Sequence, residues 1–150
     1  MALVDLIDEK IIHAPLVSRN KPDVLRELVG ILKDIGTIDD VEEVIAAIVA
    51  REEKGSTGLE DGIAVPHAKT DKVKKLAMAI GISHQGIDFD SMDGKPAQLF
   101  FLLLAPVDQT GPHLAALAEI AKIARSRSFC HLLIHAKSPQ EVVAVFKEDI

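Results

Sequence analysis

Residues 98–105 read Gln-Leu-Phe-Phe-Leu-Leu-Leu-Ala, and nothing polar interrupts the stretch from Leu99 to Pro106. A half-exposed strand would alternate apolar and polar side chains; an unbroken apolar run of this length fits a strand covered on both faces. Such a strand needs neighbours in a sheet and further layers above and below it. It therefore commits the chain to an α/β or α+β sandwich. The run is far shorter than the roughly 20 apolar residues of a membrane-spanning helix. No direct membrane insertion is expected.

Composition narrows the classes further. A length of 150 residues fits one domain, 1–150. Hydrophobic residues make up 48% and aromatics only 3%, with no Trp and no Tyr, so the core must be aliphatic. The formal net charge is −6. An acidic chain without stacking platforms is a poor nucleic-acid binder, because both phosphate neutralisation and base stacking are missing. The lone cysteine, Cys130, excludes an intramolecular disulfide and a four-cysteine zinc site. It reads as a buried thiol within a helix. The N-terminus alternates Leu3, Asp5, Leu6, Ile7 and Asp8 and shows no export pattern. A cytoplasmic setting is the expectation.

Three groups of elements are legible. Ile11-Ile12 and Leu16-Val17 bracket Pro15 and suggest a short edge strand. Asn20-Lys21-Pro22 should open a helix with the stripe Val24, Leu28, Ile31, Leu32 and Ile35, stopped by Gly36. Asp39-Asp40 should cap a second, with Val41, Val44, Ile45, Ile48 and Val49 on one face, running out from Arg51 to Gly55. The middle is β-like: Gly62–His67, Leu76–Ser83 with Gly81 inside it, and the buried run, preceded by an Asp93-Gly94 turn. The last third is helical. A stripe of Leu114, Leu117, Ala118, Ala121 and Ala124 follows Thr110-Gly111-Pro112. Phe129, Leu132 and Leu133 mark a short helix, and Ser138-Pro139-Gln140-Glu141 reads as a capping box before Val142, Val143 and Phe146.

Six histidines carry most of the available chemistry. His131 and His135 have the i, i+4 spacing of a helical metal pair, but Leu132, Leu133 and Ile134 between them supply no carboxylate, so two exposed polar positions are expected and no metal. His13 and His84 read as surface or hydrogen-bonded histidines. His67 differs. It ends the run Gly58-Leu59-Glu60-Asp61-Gly62-Ile63-Ala64-Val65-Pro66, whose glycines allow a sharp turn or close approach. Pro66 fixes the chain just before the imidazole and holds Val65 extended. A nucleophilic imidazole needs one free ring nitrogen and a fixed orientation. His113 falls in the first turn of a helix, where free N–H groups and the dipole favour an anion; a capping role is the alternative. Arg51 is either a cation at a helix C-terminus or a fork for phosphate oxygens.

At this point a family becomes recognisable. Arg51-Glu52, Ser56-Thr57-Gly58 and Gly62-Ile63-Ala64-Val65-Pro66-His67-Ala68 closely resemble the active-site signature of enzyme IIA of the bacterial sugar phosphotransferase system, fructose/mannitol type. The resemblance continues through Pro106, the helix from His113 to Ala118 and the tail Ala136–Val142, nearly the whole chain. It implies a mixed β-sheet flanked by helices on both sides. It further implies that His67 is the phosphorylated histidine, His113 the second active-site histidine and Arg51 the active-site arginine. Gly111-Pro112 departs from the more usual polar residues before the second histidine and affects the expected shape of that loop.

The implied mechanism is phosphoryl relay. His67 would accept a phosphoryl group from the histidine-containing phosphocarrier protein HPr and pass it to a cysteine of an enzyme IIB domain. The membrane sugar permease IIC would be served only indirectly. His113 would orient the group or donate to a phosphate oxygen, Arg51 would gather negative charge, and Thr57 with the backbone near Gly58 would add phosphate donors. No cofactor is called for, and no Gly-x-x-x-x-Gly-Lys loop is present to hold a nucleotide. The chain lacks a candidate IIB cysteine and reads as one IIA module, free-standing or part of a longer polypeptide. His67 should sit in a shallow apolar depression with a small, transient interface.

Three alternatives remain. A nitrogen-type regulatory IIA protein and a sensory IIA-like module share the same signature, and the tail after His113 leans toward the fructose/mannitol branch. A metal-dependent hydrolase is disfavoured, because no carboxylate–histidine motif has ligand spacing.

Overall fold

The apolar run is the strand on which the fold is built, and its residues from Leu99 to Ala105 are all inaccessible to solvent. Consecutive residues of a strand face opposite ways, so both faces of the sheet are covered. The computed structural model describes residues 3–148. Two short 3-10 turns precede β1 (Ile12–His13), α1 (Lys21–Asp34), α2 (Val41–Glu53), β2 (Ile63–Ala64), β3 (His67–Lys69), β4 (Ala77–Ile87), β5 (Ala97–Ala105), α3 (Thr110–Ala124), α4 (Arg127–Ile134) and α5 (Pro139–Glu148).

The sheet is mixed. Its order is β1-β4-β5-β2, with β3 also paired to β5. β1 runs parallel to β4, β4 antiparallel to β5, and β2 and β3 both parallel to β5. β2 and β3 lie end to end along β5, against Leu99–Phe100 and Leu103–Ala105 respectively. They form one edge of the sheet and β1 forms the other. α1 and α2 pack on each other and reach the sheet at β4 and β3; α3, α4 and α5 pack in series and reach it at β5, β4 and β1. This is the α/β sandwich with a mixed, helix-flanked sheet that the resemblance implied.

The helix starts follow from capping chemistry. The Asn20 side chain accepts from Asp23 N at 2.9 Å, and the Asp40 carboxylate accepts from Glu43 N at 3.1 Å. Each bond satisfies one orphan amide and is worth about 1 kcal/mol. The capping box at α5 differs from the expected one. Ser138 Oγ accepts from Glu141 N at 3.2 Å, but the Glu141 carboxylate reaches Lys137 N at 2.7 Å, one residue upstream of the reciprocal partner.

Four expectations need correction. The segment 62–67 is not one strand. Pro66 has no N–H for the ladder, so pairing stops after Ala64 and resumes at His67, although Pro66 O still accepts from Leu103 N at 3.0 Å. His67 therefore opens a strand instead of closing one. β4 runs on to Ile87 through a register shift between Ile82 and Ile87, with Gly86 at φ +85°. The buried stripe of α3 is His113, Ala116 and Ile120, while Leu114 is 61% exposed; the helix begins at Thr110, and the core takes the i, i+3, i+7 row from His113. Ile35, Val49 and Leu132 are likewise exposed, so α1, α2 and α4 bury narrower stripes than their apolar residues suggest.

Candidate active site

His67 opens β3 at the sheet edge, half-buried, between the last turn of α2 and the first turn of α3. Two depressions meet there, of about 160 and 360 Å³, and Arg51 and His67 line both. The smaller is apolar on its far side, with Leu59, Leu117 and Ile120. The larger carries Lys54, Lys69 and His113. The structure thus brings together three residues that the sequence separates widely: Arg51, His67 and His113.

The imidazole of His67 has a fixed orientation. Its Nδ1 lies 2.7 Å from the Val65 carbonyl oxygen. A carbonyl only accepts, so Nδ1 carries the proton and, in the neutral ring, Nε2 keeps its lone pair. Val65 is itself held, because its N–H donates to Thr57 O at 3.0 Å. Asp61 and Gly62, at φ +61° and +82°, form the left-handed turn that starts β2 and sets this register. Gly62 O then accepts from both Gln98 N and Leu99 N.

His113 stands beside it, ring centroids 5.5 Å apart and planes at 67°. It is 5% exposed, and its Nε2 has no hydrogen-bond partner. Burial, then the charge that His67 and Lys69 can carry, pushes its pKa below the ordinary histidine value. It is held neutral, with one buried ring nitrogen available. Its backbone N–H is already committed to Gln109 O at 3.2 Å, so the free amides expected at the start of this helix belong to residues before His113. No side chain caps that helix. Arg51 Nη1 donates to Gly55 O at 2.8 Å, which commits one of the five N–H groups of the guanidinium.

Thr57 and Gly58 do not present the donors expected of them. Thr57 is buried, and both its N–H and its hydroxyl donate to the Glu52 carboxylate. Gly58 N donates to Ser56 Oγ at 3.0 Å. Both residues build the loop under the site, and their hydrogen atoms are already spoken for. Gly58 is required there by space: a Cβ would lie 2.5 Å from Ser91 Oγ.

One residue escaped the sequence reading. Lys69 lines the larger depression, and its Nζ donates to Thr110 Oγ1 at 3.0 Å, tying β3 to the start of α3. The signal was available: residues i and i+2 of a strand share a face, so a strand opening at His67 turns Lys69 the same way. The other histidines lie elsewhere. His13 Nδ1 meets Glu27 Oε2 at 2.7 Å, and His84 Nε2 meets Ala136 O at 2.9 Å. His131 and His135 are stacked 4.1 Å apart, with His135 Nδ1 donating to His131 O. Among the described residues no group of three or more His, Cys, Asp or Glu is placed to hold a metal ion, and no helix is long and apolar enough to cross a membrane.

Residues 5–149 match the family described as phosphoenolpyruvate-dependent sugar phosphotransferase system, EIIA 2, and the chain belongs to that family. It is 36% identical over 138 residues to the fructose-specific EIIA component of Haloferax volcanii, covering 89% of this chain and 90% of the relative. It is 32% identical over 148 residues to the fructose-specific EIIABC component of Bacillus subtilis, covering 99% of this chain but only 23% of that longer protein. Among solved structures, the nitrogen regulatory protein IIA-Ntr of Neisseria meningitidis superposes with a TM-score of 0.87 at 30% identity, covering 96% of this chain and 98% of its own.

Proposed function

We propose that His67 Nε2 accepts a phosphoryl group from the phosphohistidine of HPr and passes it to a cysteine of an enzyme IIB domain, in sugar uptake of the fructose/mannitol class. One observation carries this reading: the Nδ1–H of His67 is fixed on Val65 O, which leaves Nε2 as a lone-pair donor in an open depression. In the first step an Nε2–P bond forms as the N–P bond of the donor breaks, and the donor imidazole leaves with the electron pair. In the second, a cysteine thiolate attacks phosphorus, the S–P bond forms and Nε2 recovers its lone pair.

Such a transfer asks the protein mainly for alignment and charge stabilisation. Arg51 offers its uncommitted N–H groups to the equatorial oxygens, and Lys69 adds a second positive charge on the strand face of His67. His113, neutral and with a buried unpartnered Nε2, is available as a single directed donor; as an imidazolium it would repel a protonated His67. The apolar side of the smaller depression suits brief contact with more than one partner. The EIIABC name of the longer Bacillus relative, matched here over one part of its length, supports a IIB partner. The resemblance to Haloferax fructose-specific EIIA supports the sugar class.

A second reading is favoured by the IIA-Ntr structure: the same phosphoryl acceptance at His67, with binding of a regulated protein as its output. Incubation with phosphoenolpyruvate, enzyme I and HPr tests what both share. One acid-labile, base-stable phosphoryl group per chain is expected. Onward transfer to the cysteine of a fructose- or mannitol-class IIB supports the transport reading. Stable retention in the presence of such IIB domains supports the regulatory one. No incorporation at all defeats both.

A further inference from the structure

We propose that Glu52 is a positioning residue for the imidazole of His67, a role that rests on the reaction proposed above. Glu52 sits in the last turn of α2, next to Arg51, with its side chain only 6% exposed. It does not line either depression, so it touches no phosphoryl group. A buried carboxylate is costly unless its oxygens are filled. Here Oε1 receives Thr57 N at 3.2 Å and Lys21 Nζ at 2.9 Å, and Oε2 receives the Thr57 hydroxyl. The Lys21 ammonium is held in turn over the Phe89 ring, 4.5 Å from its centroid.

From this anchor a continuous chain of hydrogen bonds leads to the reacting ring. Glu52 fixes Thr57, Thr57 O accepts from Val65 N at 3.0 Å, and Val65 O accepts from His67 Nδ1 at 2.7 Å. The last acceptor in that chain selects the tautomer that leaves Nε2 free. The tethered segment needs such an anchor. Gly55, at φ +147°, and Gly58 flank Ser56-Thr57, and glycines impose little backbone preference of their own. Alanine cannot replace the carboxylate: with both oxygens gone, the Thr57 N–H, the Thr57 hydroxyl and the Lys21 ammonium lose the acceptors that hold the segment.

The test uses the full chain, labelled with nitrogen-15 at histidine. In the wild type, imidazole spectra at neutral pH should show His67 in the Nδ1–H tautomer. In Glu52→Ala the two tautomers should mix, and phosphoryl acceptance from HPr should slow about ten- to hundred-fold through misalignment. Glu42→Gln, on the same helix as Glu52, breaks the exposed pair with Arg26 of α1 and should leave both readouts at their wild-type values. Should Glu52→Ala fail to fold, Thr57→Val removes one link alone and is expected to shift the tautomer in the same direction. A folded Glu52→Ala protein of lowered stability, with the His67 nitrogen shifts unmoved, would overturn the proposal. The tautomer readout needs no phosphoryl donor, so it decides the role of Glu52 even if the wild type took up no phosphate.

Discussion

The ring of His113 stands edge-on to the ring of His67, 5.5 Å from it between centroids, and is almost wholly shielded from solvent. That pairing gives the two histidines different duties. One is open and oriented through Nδ1; the other is dry, neutral and unpartnered at Nε2. His113→Ala should therefore slow phosphoryl acceptance by about 10²- to 10³-fold, the usual loss for one preorganised donor. His113→Gln places an amide near the former Nε2 and should recover part of that loss. Single-turnover transfer from phosphorylated HPr measures both. Wild-type rates in His113→Ala would remove the residue from the mechanism.

The same burial makes stability depend on pH. The pKa of His113 is lowered below its ordinary 6.5 by burial first and then by the charges of His67 and Lys69. In the unfolded chain the imidazole takes its proton near 6.5; in the fold it resists until lower pH. The unfolded state thus binds more protons in that window, and stability must fall as pH falls through it. Urea midpoints should be level above pH 6.5, decline below it, and decline less in His113→Gln. The Glu27 carboxyl acts lower. Burial pushes it up, but hydrogen bonds from Ser18, His13 and Val17 prevail and hold it below its ordinary 4.5. Its contribution is present above that value and is lost as pH falls through the lowered one.

Gly58→Ala should cost about 1–3 kcal/mol, because the added methyl meets Ser91 Oγ at 2.5 Å and Ser91 Cα at 2.9 Å and the loop must shift. The shift would fall on the segment that carries Thr57, so phosphoryl acceptance should drop along with the urea midpoint. An unchanged midpoint would contradict the packing described for this loop.

Cys130 should not react. Burial, then the negative charge of Asp61, pushes its thiol up, and Sγ donates to Ile123 O at 3.3 Å. Only the thiolate is a good nucleophile. Iodoacetamide at neutral pH should leave the folded protein unlabelled and label it fully in urea. Fast labelling of the native chain would show that the α3–α4 contact opens readily.

Much of this architecture is legible in the sequence, for identifiable reasons. The unbroken apolar run from residue 99 announces a strand covered on both faces, and Asn20 and Asp40 announce helix starts through capping chemistry that is local in the chain. The pairing of β2 and β3 along one partner is not legible, since it depends on how a proline interrupts a ladder formed with residues 36 positions away. The stripe of α3 is misread because Leu114 looks like core and His113 does not; which side of the helix faces inward is set by packing against distant elements, with His113 beside the imidazole at position 67. Thr57 illustrates the same limit. Its hydroxyl reads as a phosphate donor until the carboxylate of Glu52 is seen to occupy it.

The most direct measurement is the site of the phosphoryl group on the 150-residue chain, read by nitrogen-15 and phosphorus-31 spectra after reaction with phosphoenolpyruvate, enzyme I and HPr. A single nitrogen–phosphorus coupling at Nε2 of His67 is expected, with the proton on Nδ1 retained and the signal absent in His67→Ala. Phosphorus bonded to Nδ1, or to any residue other than His67, would contradict that assignment.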